Sequence, residues 1–591
     1  MIMMKTYIYN KVKGAGLFTL VLLLSSLLFT ACTDSFLDKE PDERTHIVSV
    51  DDVIQLYIAS YPDANYGWVC ELSSDNVMDL NSVHLPASPN AKQEPTHYNL
   101  TSSGRQDDEM FRFEPVKSST SSDTPASIWT SFYSAINSVN EGLVALDNLE
   151  KSGVTLDAKF RAAKAEGLLI RAYSHFILVN CFSQAYKSDE LSKKDIGVPY
   201  LYEPIVAVDD NYDRSNVTDT YKRIQADLEA GLKDISNINY KMPKWHFNED
   251  AAHAFAARFY LYTRQWDKVI EHANAVLGTN REVLFNRMFD YTPLDDCTYL
   301  SDYANVWQSP YIYSNIMLLD TYSTVLRKAR YRYGQGSLVA RAIYYHNSPM
   351  WPGWVANPTI FVSGLGGNGY GTYYPAWISE QFQYSDKVAG IGYAHTIRRE
   401  FTYAELLLER AEAKIMKADY DGAFDDLSLY SESLTRFSPS TKQNYASNNG
   451  MVPLTKDMLN GSRAWFNKKN KNNYNCFDDW NFVTNMSPDY VIPAIAVPYM
   501  NCLNYFRRYE TNFSGLRFFD LKRWGMEYSH EYGLNNEVYT LTWDDPRRAL
   551  EVPQDAIASG LQPSRPLTVD SAKNEKTILP AQFFGEKEEN N

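Results

Sequence analysis

Ala251-Ala-His-Ala-Phe-Ala-Ala-Arg-Phe-Tyr-Leu-Tyr-Thr-Arg-Gln-Trp-Asp-Lys268 reads as a helix, a turn and the start of a second helix. Ala257, Leu261, Trp266 and Asp267 each have a counterpart 154 positions later, in Ala411, Ile415, Tyr420 and Asp421. Both copies carry a helix, then an aromatic residue followed by Asp, then another helix. A small residue on the first helix lets the second pack close, as in tetratricopeptide hairpins. Two copies so far apart do not make a regular solenoid. They predict a mainly α fold whose hairpin scaffold is interrupted by long insertions.

Flanking segments extend this scaffold. Ala165, Leu169, Ala172, Phe176 and Val179 recur at spacings of three and four, which marks one buried helix face over 158–182. Further helices are expected at 128–149, 217–236 and 249–277, and a second pair at 400–433. Segments at about 66–126, 281–399 and 435–500 lack sustained periodicity. The first is rich in Ser, Pro, Asn and Asp, and the other two are aromatic and punctuated by Gly and Pro; all three read as loop-rich insertions. The scaffold is thus placed at about 127–280 and 400–433, and a C-terminal segment follows over 501–591.

The N-terminus has another character. Lys5, Lys11 and Lys13 precede an apolar run from Leu17 to Phe29, which is shorter than the roughly 18 residues a spanning helix needs. It reads as a signal peptide over 1–31. Leu28-Phe29-Thr30-Ala31-Cys32 resembles a bacterial lipobox, with Phe29 where that box usually has Leu, and this makes Cys32 the expected lipidation point and first mature residue. Removing the signal takes away three lysines and no acids, so the net charge moves from −15 to −18. An acidic chain is a poor fit to nucleic acid, which needs clustered Lys and Arg. The 43 tyrosines suit a binding surface, since Tyr offers an apolar face and a polar edge. Cys70, Cys181, Cys297, Cys476 and Cys502 lack any C-x-x-C pair, so neither a zinc site nor a dense disulfide framework is indicated.

Six segments, in order along the chain, resemble the SusD/RagB family of outer-membrane nutrient-binding lipoproteins of the Bacteroidetes. They are Cys32-Thr-Asp-Ser-Phe-Leu-Asp38; Leu169-Ile-Arg171-Ala172-Tyr173-Ser-His-Phe176; Ala257-Arg258-Phe-Tyr260-Leu-Tyr with Trp266-Asp267-Lys268; Leu408-Glu-Arg410-Ala411-Glu412-Ala413; Gly515-Leu-Arg517-Phe518-Phe519-Asp520-Leu521-Lys-Arg523-Trp524-Gly525; and Glu551-Val-Pro553-Gln554-Asp-Ala-Ile557. Leu516 stands where that family has His. The resemblance implies one SusD-like body over 32–591, surface-exposed on the outer membrane and lipid-anchored. It implies a lid over a TonB-dependent (SusC-like) transporter that passes oligosaccharides, or peptides in the RagB branch, to the barrel.

Catalytic signatures are not apparent. The chain has no G-x-S-x-G elbow, H-E-x-x-H pair, P-loop or Rossmann fingerprint. Ser363-Gly-Leu-Gly366-Gly-Asn-Gly369 reads as a surface loop, and adjacent acids such as Asp295 and Asp296 do not by themselves make a glycoside hydrolase. The expectation is therefore a binding protein without cofactor or metal, the rival reading being a cell-surface glycosidase. Arg517, Asp520 and Arg523 read as buried ion pairing rather than an active site. The expected ligand surface takes Asp75, Asn76 and Tyr98 from the early loop, and Tyr344, Trp351 and Trp354 from the middle insertion. Density of Tyr and Trp in that insertion favours glycan over peptide.

Overall fold

Polar residues that can accept from free backbone N–H groups begin the long helices. In the computed structural model Thr124 caps α4 (Pro125–Lys151), Asp157 caps α5 (Ala158–Phe182) and Asn216 caps α6 (Val217–Leu232). Asn248 caps α7 (Glu249–Tyr262) and Thr402 caps α9 (Tyr403–Met416). Each side-chain oxygen satisfies an N–H of the first turn, and such a cap contributes about 1 kcal/mol. The structure describes residues 47–82, 100–116, 121–205, 212–288, 292–340, 343, 360–364, 371–434, 454–456, 459, 486–535 and 537–565. By its contacts Ser49–Asn591 forms one unit, and Met1–Val48 is assigned to another.

Helices α4, α5 and α6 pack in succession, as do α7, α8 (Trp266–Leu277), α9 and α10 (Tyr420–Leu434). The tetratricopeptide-like pairs are therefore present, with α7–α8 and α9–α10 as the two copies. Their turns match to the bond. Arg264 (φ +58°) and Ala418 (φ +61°) are both left-handed and stand 154 positions apart. The Gln265 N–H reaches the Tyr260 carbonyl at 2.9 Å, and the Asp419 N–H reaches that of Lys414 at 2.9 Å. Arg264 N–H bonds Leu261 O, and Ala418 N–H bonds Ile415 O. These paired bonds make a Schellman ending, which redirects the chain into the second helix. Ala257 and Ala411 are fully buried, as close helix packing requires.

Helix α5 is buried along most of its length, and its apolar residues run round more than one face. Tyr173 and Phe176 meet Phe255 with ring centroids 5.8 and 5.5 Å apart. Burying each such ring contributes about 1.5–3 kcal/mol.

The rest of the chain closes on this scaffold. Before it come α1 (Val50–Ile58), α2 (Gly67–Leu72), the short strand β1 (Met78–Asp79) and α3 (Arg105–Phe111). Contrary to the expectation of irregular loop, the middle insertion builds sheets. Strand β2 (Asn315–Tyr322) joins β6 (Gln381–Asp386) and β7 (Ile391–Thr402) in an antiparallel sheet of order β2-β7-β6. Short strand β3 (Tyr333–Gly334) pairs with β1, and β4 (Ile360–Gly364) with β5 (Gly371–Pro375). The apolar run Ile316–Leu319 in the first half of β2 is buried on both faces, and alternation sets in only from Asp320 to Tyr322, too short to announce the strand. Helices α11 (Val497–Glu510) and α12 (Leu516–Trp524) follow, then the hairpin β8 (Tyr528–Tyr532) and β9 (Glu537–Leu541). Gly515 and Gly525 bracket α12 at positive φ; a Cβ on Gly525 would come 2.3 Å from Ser487 Cβ. No helix among the described residues is long and apolar enough to cross a membrane.

Candidate functional site

The arginines of the sequence motifs are clamps. Arg171 holds Asp227 through two bonds of 2.7 and 2.8 Å, joining α5 to α6. Arg410 does the same to Asp426 between α9 and α10, at 3.0 and 2.7 Å. Arg258, in the core, bonds Glu400 and Glu405. On α12, Arg523 binds Asp520 and Glu412, and Arg507 of α11 binds the same Asp520 at 2.8 Å. These pairs are nearly or wholly buried, and Arg171–Asp227, Arg410–Asp426, Arg258–Glu405, Arg507–Asp520 and Arg523–Glu412 are two-point, the form in which buried charge is tolerated. Arg517, Asp520 and Arg523 are structural, as the sequence reading has them.

The early-loop residues expected to touch ligand belong to this framework. Both Asp75 oxygens accept from Arg517, each at 2.7 Å, and Arg508 bonds the Asp75 carbonyl. Burial pushes the Asp75 carboxyl up, but Arg508 and Arg517 outweigh it and hold it well below the usual carboxylate range. Asn76 is fully buried; its Oδ1 accepts from Arg508 at 2.7 Å and its Nδ2 donates to Glu71. The carboxylate and carboxamide read from the sequence as ligand contacts are thus already taken by protein partners. Tyr98, Tyr344, Trp351 and Trp354 lie outside the described residues. Of the aromatic run that follows them, Tyr374 and Trp377 are buried, and the Trp377 indole donates to the Asn512 carbonyl at 3.1 Å.

A small cavity of about 40 Å³ lies beside Asn65, Arg398, Glu405 and Glu510, room for a few waters.

Surface chemistry is richer on the β2-β7-β6 sheet. Cross-strand register pairs Tyr322 with His395, His395 with Gln381, and Gln383 with Tyr393. Residues directly opposite share a face, so Asp320, Tyr322, Gln383, Tyr393 and His395 project together. Tyr322 and Tyr393, 41% and 37% exposed, meet edge to face with centroids 4.7 Å apart. The neighbouring Tyr393 hydroxyl, with partial burial, pushes the Tyr322 phenol up to about 12 and keeps it neutral. His395 Nδ1 lies 2.5 Å from Asp320 Oδ1, and the Asp320 side chain is half exposed. Two aromatic planes beside a carboxylate, an imidazole and an amide can stack on an apolar ring face and exchange hydrogen bonds with hydroxyls.

Residues 35–261 match the SusD-like family model described as starch-binding associating with outer membrane. The whole fold recurs in SusD superfamily structures. One from Bacteroides thetaiotaomicron is 17% identical, with 88% of this chain and 100% of that chain covered at a TM-score of 0.52. The chain has the SusD-like fold. Another, from Bacteroides vulgatus, is 14% identical, with 88% and 99% covered and a TM-score of 0.53. Surface glycan-binding protein A from Bacteroides uniformis is 15% identical, with 87% and 98% covered and a TM-score of 0.50. At such identities the likeness establishes the SusD-like fold. No curated protein matches the chain in sequence.

Asp320, Tyr322, Gln383, Tyr393 and His395 escaped the sequence reading. A signal was present. From Gly392 to Thr396 the large polar-aromatic residues Tyr393 and His395 alternate with Gly, Ala and Thr, a period of two that marks a half-exposed strand.

Proposed function

We propose that this chain is a surface-exposed lipoprotein, anchored through Cys32, that captures oligosaccharides and hands them to a TonB-dependent outer-membrane transporter. The observation that carries the binding half is the face of Asp320, Tyr322, Gln383, Tyr393 and His395, whose planes and hydrogen-bonding groups suit an uncharged polyhydroxylated ligand. The family's description as starch-binding with outer-membrane association supports the ligand class and the location. So does the glycan-binding name of the Bacteroides uniformis neighbour. Trp351 and Trp354 remain proposed stacking residues on the sequence reading alone. We read the chain as a binder rather than a catalyst, and a reducing-end assay on the same glycans tests that part.

Titration of the soluble body with an oligosaccharide panel that includes α-glucans tests the face. Tyr393→Ala is expected to weaken binding about tenfold or more, on the scale of about 1–3 kcal/mol for planar groups stacked on aromatics. Its melting temperature should stay close to that of the parent. Unchanged affinity in both Tyr322→Ala and Tyr393→Ala removes this face from the proposal.

Peptide is the second reading, and one feature favours it. Strand β6 ends the sheet order, and an edge strand offers free N–H and C=O groups to an added extended chain. Competition between glycans and unstructured peptides in the same titration decides between the two.

A further inference from the structure

Strand β6 is exposed from Phe382 to Asp386, so residues of both its faces meet solvent. Gln383 points to the front, the side of Tyr322 and Tyr393. Phe382 and Tyr384 stand opposite Ala394 and Gly392 and so point to the back. Deeper in the sheet this back face is covered, and Thr321, Thr396 and Arg398 are buried there. Beyond them the β6–β7 hairpin stands clear of the body. Phe382 and Tyr384 are 47% and 51% exposed and meet edge to face, with centroids 4.9 Å apart. Gly392 lets the Phe382 ring lie down on the sheet, since a Cβ there would come within 2.7 Å of Phe382 Cε1. One hairpin thus carries two aromatic platforms, Tyr322 with Tyr393 in front and Phe382 with Tyr384 behind. Between them runs the outer edge of β6, which ends the sheet among the described residues and turns backbone N–H and C=O groups outward.

We infer that Phe382 and Tyr384 form a second stacking subsite for the oligosaccharide of the proposed front-face site, and that the ligand is a chain long enough to cross the β6 edge and touch both faces at once. The back platform offers two apolar planes and a phenol hydroxyl over Ala394 and Gly392, with no charged side chain among them, which suits the face of an uncharged sugar ring. Sheets stack about 10 Å apart face to face, and that depth sets the span a chain must cover to pass from one platform to the other. A short ligand fills one platform. A long chain that has filled one reaches the other as an intramolecular step, and its affinity rises by the effective concentration of that step. Hydroxyls of the crossing sugars meet the open edge of β6 on the way.

Titration of the soluble body with the tightest-binding glycan of the panel, as disaccharide and as a long chain of the same linkage, tests the two platforms. Maltose and linear amylose are the probes where the panel selects an α-glucan. The long chain should bind more tightly, and Phe382→Ala and Tyr384→Ala should each lower the ratio of long-chain to disaccharide affinity about tenfold or more. A ratio measured within one variant is unaffected by any unfolded fraction. If Tyr393→Ala weakens binding while both back-face variants keep the parent ratio, the second subsite is overturned and the front face stands. Unchanged affinity in both Tyr322→Ala and Tyr393→Ala overturns the front face, and the crossing chain with it.

Discussion

Arg517 is fully buried, and a guanidinium out of water is tolerated only when its donors are met. Asp75 meets two of them and Asn504 a third. Asp75→Ala should therefore cost about 3–5 kcal/mol in urea unfolding, because it strands the charge. Asp75→Ala combined with Arg517→Met should cost less than the two single changes summed. A ligand-contact role for Asp75 predicts the opposite pattern, lost binding with unfolding unchanged. Glu71, beside this pair, gives a pH test. Burial pushes its carboxyl up to about 7, although Ser74, the Phe513 N–H and Asn76 oppose the shift. The folded chain thus keeps a proton that the unfolded chain releases near the ordinary value of 4.5. Stability from this group is full below about 4.5 and is lost as pH rises to about 7, by on the order of 3 kcal/mol. Denaturant midpoints across that window should fall more steeply in the parent than in Glu71→Gln. Equal slopes would show that Glu71 is not protonated in the fold.

Helix hairpins were the part of the fold most open to reading, because their signal is local. A small residue at Ala257 and Ala411, an aromatic and Asp after the turn, and helical spacing all follow from one supersecondary unit. The left-handed residue in each turn was not legible, since Arg and Ala stand where Gly is usual. That mismatch predicts a stabilising change. Ala418→Gly relieves a conformation that disfavours a Cβ, and the paired bonds to Lys414 and Ile415 remain. Thermal unfolding should show a gain of about 0.5–1 kcal/mol, with part of it offset by the added freedom of glycine in the unfolded chain. A loss would mean that the Ala418 methyl makes contacts worth more than the strain. Sheets were harder to read. Strand β2 pairs with β7 across roughly 80 residues of chain, and its first half, Ile316–Leu319, is buried on both faces and so leaves no local period.

At the scale of the whole molecule, the arginine-bearing motifs behind the family resemblance hold the fold together, while the exposed sheet face lies in residues no motif covers. This division has a physical cause. Buried two-point clamps such as Arg171–Asp227 and Arg410–Asp426 need fixed residue types at fixed spacings and so leave a sequence pattern. A surface that binds through aromatic planes can draw them from any strand or loop that faces the same way. Asp75 and Asn76 read as ligand contacts because a polar pair in a loop-like stretch looks the same whether it faces solvent or buried arginines 432 and 442 residues later. The proposed localisation rests on yet another kind of signal, the small residues before Cys32, which lies outside the described residues. Under the proposed function, the lipid at Cys32 would supply the grip on the outer membrane. Each buried methylene contributes about 0.8 kcal/mol, and two or three acyl chains hold firmly where one does not. Cys32→Ala should abolish metabolic labelling with palmitate and move the protein out of the membrane fraction. Gentle detergent extraction of the unaltered protein should recover a barrel transporter with it. A Cys32→Ala variant that loses its label yet still sediments with membranes would mean that the transporter, rather than the lipid, holds the chain in place.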